Sequence, residues 1–268
     1  EISHLLADSV AFIVVTLADL VPFVQDVRDE TAVETVVSVN GETDGAVTFE
    51  EFLADEELAV VDRADDDVAV QPYTSGTTGT PKGVLLTHQN LAWDARATAA
   101  VMPDGVREDD LFLGVLPLFH IYGMTVTMIA TLFEGGGYRP VPEWDAQQAA
   151  EIIESEGITV MHGVPAMFND LVNQPNAEEF DLSSLRFVNS GGSSLPIEVM
   201  HRFDDLFETE LYEGYGLTET APVTHVNRPG ARRPGSIGKP LDGVDAKIVD
   251  GNFDAVGPVP EGPVDEEE

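Results

Sequence analysis

Cysteine is absent from this 268-residue chain. That excludes a disulfide framework, a thiolate metal site and a thiol nucleophile. Basic residues are scarce too: 13 Lys and Arg stand against 49 Asp and Glu, a formal net charge of −36. Such an excess repels nucleic-acid phosphate over most of a surface, so no nucleic-acid partner is expected. The opening residues Glu1, Ile2, Ser3 and His4 lack a basic n-region, and no initiating Met is present. No secretory signal is therefore visible, and the expectation is a piece of a longer, cytoplasmic protein. Charge itself is missing from one stretch, Leu111 to Phe133, which exceeds the ~20 apolar residues of a membrane span. Pro117, His120 and Gly123 interrupt it, and no basic cluster flanks it. A buried strand, loop and helix is the better reading, with peripheral membrane contact left open.

What is present points to a folded, acidic globule. Hydrophobic residues make up 43% of the chain, enough for a core in one large domain or two small ones. The acidic residues form one terminal block, Asp265 to Glu268, and are otherwise scattered, as in Glu56-Glu57 and Asp65-Asp66-Asp67. Scattered carboxylates read as a solvated surface suited to high salt, where the Debye length falls to ~3 Å at about 1 M. A halophilic source is the resulting expectation. Oligomeric state is not set by the sequence.

Residues 73 to 84 read Tyr-Thr-Ser-Gly-Thr-Thr-Gly-Thr-Pro-Lys-Gly-Val, between the apolar runs Val68 to Tyr73 and Val84 to Leu86. Gly76 and Gly79 let backbone N–H groups turn toward one concave point. Thr74, Ser75, Thr77 and Thr78 add hydroxyl donors, and Lys82 adds a mobile positive charge. A polyphosphate fits such a loop best. It is no Walker loop, because Gly83 follows Lys82 where Ser or Thr is required. A Gly/Thr surface hairpin is the plain alternative.

Strand-like runs alternate with helical patterns along the chain. Strands are expected at Phe12–Val15, Val36–Val39 before the Asn40-Gly41 turn, Val68–Pro72, Leu111–Leu116, Ile158–Met161, Leu185–Val188 and Leu211–Tyr212. Helices are expected at Ala18–Val27, His88–Met102, Ile121–Phe133, Asp145–Glu156 closed by Gly157, and Pro196–Phe207. The alternation predicts an α/β fold, a mostly parallel sheet with helices on both faces. Ligands of such sheets bind beyond the carboxyl ends of strands. The 73–84 loop, Pro117–His120, His162–Gly163, Ser190–Ser193 and Gly214–Glu219 each follow an expected strand, so one crevice could collect all five. Residues 1–67 are read as part of a first α/β subdomain and 68–253 as the ligand-binding region. Residues 254–268 are read as an acidic tail without order.

Further segments complete a family pattern. They are Pro117-Leu118-Phe119-His120-Ile121-Tyr122-Gly123, Asn189-Ser190-Gly191-Gly192-Ser193-Ser194-Leu195-Pro196, Tyr212-Glu213-Gly214-Tyr215-Gly216-Leu217-Thr218-Glu219-Thr220, and Gly235-Ser236-Ile237-Gly238-Lys239-Pro240. With the 73–84 loop and in this order, they closely resemble the motifs of the AMP-forming adenylate ligases. That family includes acyl-CoA synthetases, luciferases and amino-acid adenylation domains.

The resemblance implies ATP, Mg2+ and coenzyme A as cofactors, with acyl-adenylate formation followed by transfer to the thiol. It implies nucleotide contacts at Thr74 to Gly79, Lys82, Gly191, Gly192, Ser193 and Glu213 to Gly216, with Tyr215 stacking on adenine. Thr218 would touch phosphate, Thr77 and Glu219 would hold the metal, and His120 would lie near the acid. The residues alone allow humbler roles: a solvated Glu219, a core Tyr215, a structural His120. His162 is weaker still, and His4, His88, His201 and His225 carry no expected role. Amino-acid-activating relatives carry an aspartate after the second motif, whereas His120 to Phe133 holds no acid. Burying an unpaired ammonium is costly, so the expected partner is a fatty or other apolar carboxylic acid. An aryl or amino acid, a nucleotide-binding piece without catalysis, and an acidic interaction protein are the alternatives. The family's ribose-gripping aspartate and its lysine-bearing small domain are not found in this sequence.

Overall fold

The computed structural model describes residues 1–55, 57–75, 79–253 and 255–257. Two units divide the chain, Glu1–Thr87 and His88–Glu268.

In the first unit, β1 (Ile13–Leu17), β2 (Thr35–Val39) and β3 (Val47–Thr48) form a parallel sheet in that order. Helices α1 (Ile2–Asp8) and α2 (Val21–Gln25) belong with it, and Val21, Val24, Val33 and Val36 make the core, with Leu6 and Val14 packed against them. The expected helix from Ala18 begins late. Residues Ala18–Leu20 make a 3-10 turn and α2 starts at Val21, because Pro22 has no N–H and fits only the first helical turn. Asn40 and Gly41 turn the chain after β2, both at positive φ (63° and 154°). Helix α3 (Phe49–Phe52) opens on a capping box between Thr48 and Glu51. A nested antiparallel ribbon follows. β4 (Val68–Val70) pairs with β7 (Leu86–Thr87), and inside them β5 (Tyr73–Thr74) pairs with β6 (Lys82–Gly83).

The second unit is built on a seven-stranded sheet. Its strands are β8 (Leu111–Gly114), β9 (Gly137–Pro140), β10 (Val160–Gly163), β11 (Phe187–Ser190), β12 (Leu211–Gly216), β13 (Val223–Val226) and β14 (Lys239–Pro240). Their spatial order is β14-β13-β12-β11-β10-β8-β9. The five strands from β9 to β12 run parallel, and β13 and β14 extend the sheet antiparallel. A separate pair, β15 (Ile248–Val249) and β16 (Ala255–Gly257), lies near the end of the chain. The helices are α4 (His88–Ala99), a π-helical segment Tyr122–Ile129 running into α5 (Ala130–Glu134), α6 (Ala146–Glu156), α7 (Pro165–Val172) and α8 (Ile197–Phe207).

Alternation along the strands sorts the core into two layers. On one face Leu113, Met161, Val188 and Leu211 meet α6, α7 and α8 through Ile153, Phe168, Met200 and Phe203. On the other, Phe112, Val160, Phe187 and Tyr212 pack with Ala99 at the end of α4 and with Met102. Helix α6 shows how local signals set an element. The Asp145 carboxylate accepts the Gln148 amide at 2.8 Å, and Gly157 closes the helix at φ 68°.

The structure corrects two local expectations. The segment after Ile121 is wound first as a π-helix, where the Thr127 hydroxyl donates to the Gly123 carbonyl. That carbonyl is the one an α-helical amide would take, so the side chain competes with the regular ladder. Strand β12 also runs on through Gly214, Tyr215 and Gly216, which pair with β13, so these residues do not lie in a turn after it. His162, Gly163 and Ser190 likewise occupy the last positions of β10 and β11. Among the described residues no helix is long and apolar enough to cross a membrane.

Candidate functional site

Strand order reverses between β8 and β10: the chain runs outward from β8 to β9, then returns to β10 and proceeds the other way. In open parallel sheets this reversal leaves a crevice beyond the carboxyl ends. Four of the motifs expected to share a crevice end there, on adjacent strands. Pro117–Gly123 follows β8, His162 and Gly163 end β10, Ser190–Leu195 follows β11, and Thr218–Glu219 follows β12.

Hydrogen bonds and close approaches join them. Tyr122 is buried, its hydroxyl donating to the Asn189 carbonyl at 3.3 Å and accepting from Asn189 Nδ2 at 3.1 Å. Burial raises the pKa of that hydroxyl. A Cβ on Gly191 would sit 3.0 Å from the Tyr122 ring, and one on Gly123 would sit 2.4 Å from the Pro117 carbonyl oxygen. Gly191 therefore permits the third motif to touch the second, and Gly123 lets the second fold back on itself. Gly192 stands at φ 84°, and Ser193 is exposed. Glu213 is buried, and its Oε1 accepts the Leu195 amide at 2.9 Å, which ties the 190–195 loop to β12. Burial pushes the Glu213 carboxyl above its ordinary range despite that amide.

His120 is exposed at the end of the loop after β8, and its Nδ1 accepts the Tyr122 amide at 3.1 Å. In the neutral ring this leaves the proton on Nε2. His162 is buried among Phe112, Tyr122 and Phe187, each ring centroid 6.0 Å away. Neither of its ring nitrogens has a protein hydrogen-bond partner, and burial pushes its pKa down to about 4. Asn189 Oδ1 and Ser190 Oγ are buried and unpartnered within the protein as well. Buried polar atoms without protein partners are rare in folded chains and mark places where water or ligand completes the structure.

Thr218, Glu219 and Thr220 form a 3-10 turn at the end of β12. The turn is closed by its own hydrogen bonds. The Leu217 amide is shared between Thr220 Oγ1 and the Pro222 carbonyl, both at 3.0 Å, and the Thr220 hydroxyl donates to Pro222. A Cβ on Gly216 would sit 2.1 Å from the Pro222 carbonyl oxygen, so only glycine fits where the turn folds back. Glu219 is exposed, Tyr215 is 43% exposed, and the Tyr215 ring meets His225 edge-on at 6.4 Å. Behind this region Asn227 Nδ2 donates to the carbonyls of Glu213 (3.2 Å) and Ser236 (2.6 Å), bracing the Gly235–Pro240 segment.

The 73–84 loop belongs to the first unit. Its stem is the β5–β6 pair, Thr74 opposite Lys82. Ser75, Gly79 and Lys82 are exposed, Gly79 at φ 80°, while Gly76, Thr77 and Thr78 lie outside the described residues. Helix α1 anchors the stem: the Tyr73 hydroxyl donates to Asp8 at 2.7 Å, and a His4 ring nitrogen lies 2.9 Å from the Pro81 carbonyl. Sequence reasoning gave His4 no role, and this anchoring had no local signal.

Asp94 was also missed. It sits on α4 in the stripe of Leu91, Ala95 and Ala99, wholly buried, and its Oδ2 accepts the Val223 amide at 2.9 Å. Its signal was available, since an acid at the i+3 position of an apolar stripe breaks the helical pattern.

An AMP-binding enzyme family model matches residues 1–264. The chain is 35% identical over 242 residues to the long-chain-fatty-acid–CoA ligase of Bacillus subtilis (strain 168), covering 88% of this chain and 43% of that protein. It is 35% identical over 253 residues to 4-coumarate–CoA ligase 3 of Oryza sativa subsp. japonica, covering 90% and 45%. Among solved structures, the anthranilate CoA ligase AuaEII in complex with anthranoyl-AMP superposes with a TM-score of 0.88 at 26% identity, covering 96% of this chain and 51% of that one. The chain thus spans about half the length of the relatives it matches.

Proposed function

Because the chain belongs to the AMP-binding enzyme family, we propose that its motifs serve an AMP-forming acid–thiol ligase reaction. A carboxylate attacks the α-phosphate of ATP to give an acyl-adenylate and pyrophosphate. The thiol of coenzyme A then displaces AMP to give a thioester. The observation that carries this reading is the alignment of four motif ends on adjacent strands, linked by Tyr122–Asn189 and by Glu213–Leu195.

The residues have distinct tasks in this reading. Lys82 and the hydroxyls of Thr74 and Ser75 offset phosphate charge. Gly191 and Gly192 let the purine approach the backbone, and Tyr215 stacks on it, an interaction worth ~1–3 kcal/mol per base. Thr218 donates to phosphate oxygen, and His120 stands near the acid with its Nε2 proton available. Among the described residues no group of three His, Asp or Glu side chains is placed to hold a metal. An exposed carboxylate on a short turn nevertheless fits magnesium, which commonly takes one or two carboxylates plus substrate phosphates. Glu219 would hold that ion, whose chemistry is to stabilise charge on the phosphate oxygens. Thr77, its expected companion, lies outside the described residues.

The absence of acid between His120 and Phe133 favours a fatty or other apolar carboxylate. An aryl acid is the second reading, supported by the named substrates of the rice and anthranilate relatives. Magnesium-dependent ATP binding that disappears in Glu219→Ala is the expected result. Undiminished binding in that variant would overturn the assignment, and acyl-hydroxamate formation from ATP, fatty acid and hydroxylamine separates catalysis from binding alone.

A further inference from the structure

Asp94 is the one wholly buried carboxylate among the described residues. Burial of a carboxylate in an apolar stripe costs stability unless the group is used. Its use is specific: Oδ2 accepts the amide of Val223, a residue 129 positions further on, while Oδ1 has no protein partner. Burial raises its pKa to about 8, with the Val223 amide opposing, so the neutral acid predominates near neutral pH.

Val223 is the first residue after the closed turn Leu217–Pro222. That turn is held internally by the Leu217 amide and the Thr220 hydroxyl, so it is a closed unit between β12 and β13. The register of those strands shifts between Tyr215 and Gly216, just before the turn begins. The Asp94 contact reaches the turn from outside the β12–β13 hairpin. A helix side chain thus holds the residue that directly follows the turn carrying Thr218 and Glu219.

We propose that Asp94 is a positioning residue, fixing the Glu219 turn through Val223 and thereby setting the magnesium dependence of nucleotide binding. This rests on the reading of Glu219 as the metal-side carboxylate. The required chemistry is an acceptor at the Oδ2 position, not a charge. Asp94→Asn supplies that acceptor from its amide oxygen, whereas Asp94→Leu matches the shape and supplies none.

The test is ATP binding to the 268-residue chain across a magnesium titration, with thermal unfolding of each variant alongside. Partners in the outer shell of a metal ligand typically change metal affinity by about 10–100-fold. Asp94→Leu is therefore expected to raise the magnesium midpoint about tenfold or more, with a smaller loss of magnesium-free nucleotide affinity through the Thr218 contact. Asp94→Asn is expected to stay within about threefold of the parent. An unshifted midpoint in Asp94→Leu overturns the proposal. So does equal loss of magnesium-free and magnesium-dependent binding, since that marks general damage. An Asn variant as impaired as the Leu variant, while still folding cooperatively, overturns it too. If the unaltered chain shows no magnesium-dependent ATP binding, the reading of Glu219 falls and this one with it.

Discussion

Replacing His162 by Met should remove a defined share of the acid sensitivity of the fold. The imidazole is buried with both nitrogens unpartnered in the protein, and burial holds its pKa at about 4 against an ordinary 6.5. The unfolded chain therefore takes up a proton near pH 6.5 that the folded chain refuses until near pH 4. His162 costs nothing by this route above the unfolded pKa. Stability falls as pH drops through the window from 6.5 to about 4. Each tenfold difference in proton affinity corresponds to ~1.4 kcal/mol, so the loss is about 2 kcal/mol by about pH 5 and about 3 kcal/mol by about pH 4. That is a large fraction of the 5–15 kcal/mol typical of folded domains. Met has similar bulk and no proton to take. Urea unfolding of both proteins at pH 7, 6, 5 and 4.5 gives the comparison. The difference between them isolates His162 from other acid-labile groups such as Asp110, which burial would raise but which Arg186, the Arg107 amide and Thr159 hold low. At pH 7 the variant loses the ring contacts with Phe112, Phe187 and Tyr122, so only the slope of the difference with pH is diagnostic. Parallel stability curves for the two proteins down to pH 4.5 would refute the reasoning.

Two further outcomes follow from named contacts. Arg186→Met should destabilise by about 1.5–3 kcal/mol, because buried Asp110 loses its Arg186 hydrogen bonds, Nε at 2.6 Å among them, and keeps only the Arg107 amide and the Thr159 hydroxyl; chemical denaturation measures it, and a loss below about 1 kcal/mol would show the pair to be solvated. With a net charge of −36, thermal stability should rise steadily with KCl as self-repulsion is screened, and a melting temperature equal in dilute buffer and molar salt would exclude the high-salt reading of the surface.

Legibility in the sequence followed how local the determining physics was. Asp145 and Gly157 bracket α6 within one helix length, and Asn40-Gly41 carries its own turn. Four of the five parallel strands were readable from apolar runs because burial on both faces leaves continuous apolar stretches; β9, Gly-Tyr-Arg-Pro at the sheet edge, has no such run and was not expected. What escaped was set at a distance. Gly214 and Gly216 read as turn residues, yet pairing with β13 keeps them extended. The π-helical winding after Ile121 depends on a threonine hydroxyl competing for a carbonyl. The motifs named Glu213, but only the fold shows its carboxylate committed to the Leu195 amide. Asp94 could have been singled out by its place in an apolar stripe, but its amide partner, 129 residues away, could not.

Alternation along β10 and β11 decides which layer a substitution disturbs. Met161 and Val188 form one cross-strand pair and His162 and Asn189 the next, so successive rungs serve opposite layers. The first pair anchors α7 and α8; the second borders Tyr122. Substitutions at Met161 or Val188 therefore disturb the layer under α7 and α8, whereas those at His162 or Asn189 disturb the layer around Tyr122, Phe112 and Phe187. Sliding one strand by a single residue would exchange the two roles and ruin both at once. Two packing layers in this unit are thus interleaved in sequence yet separate in space.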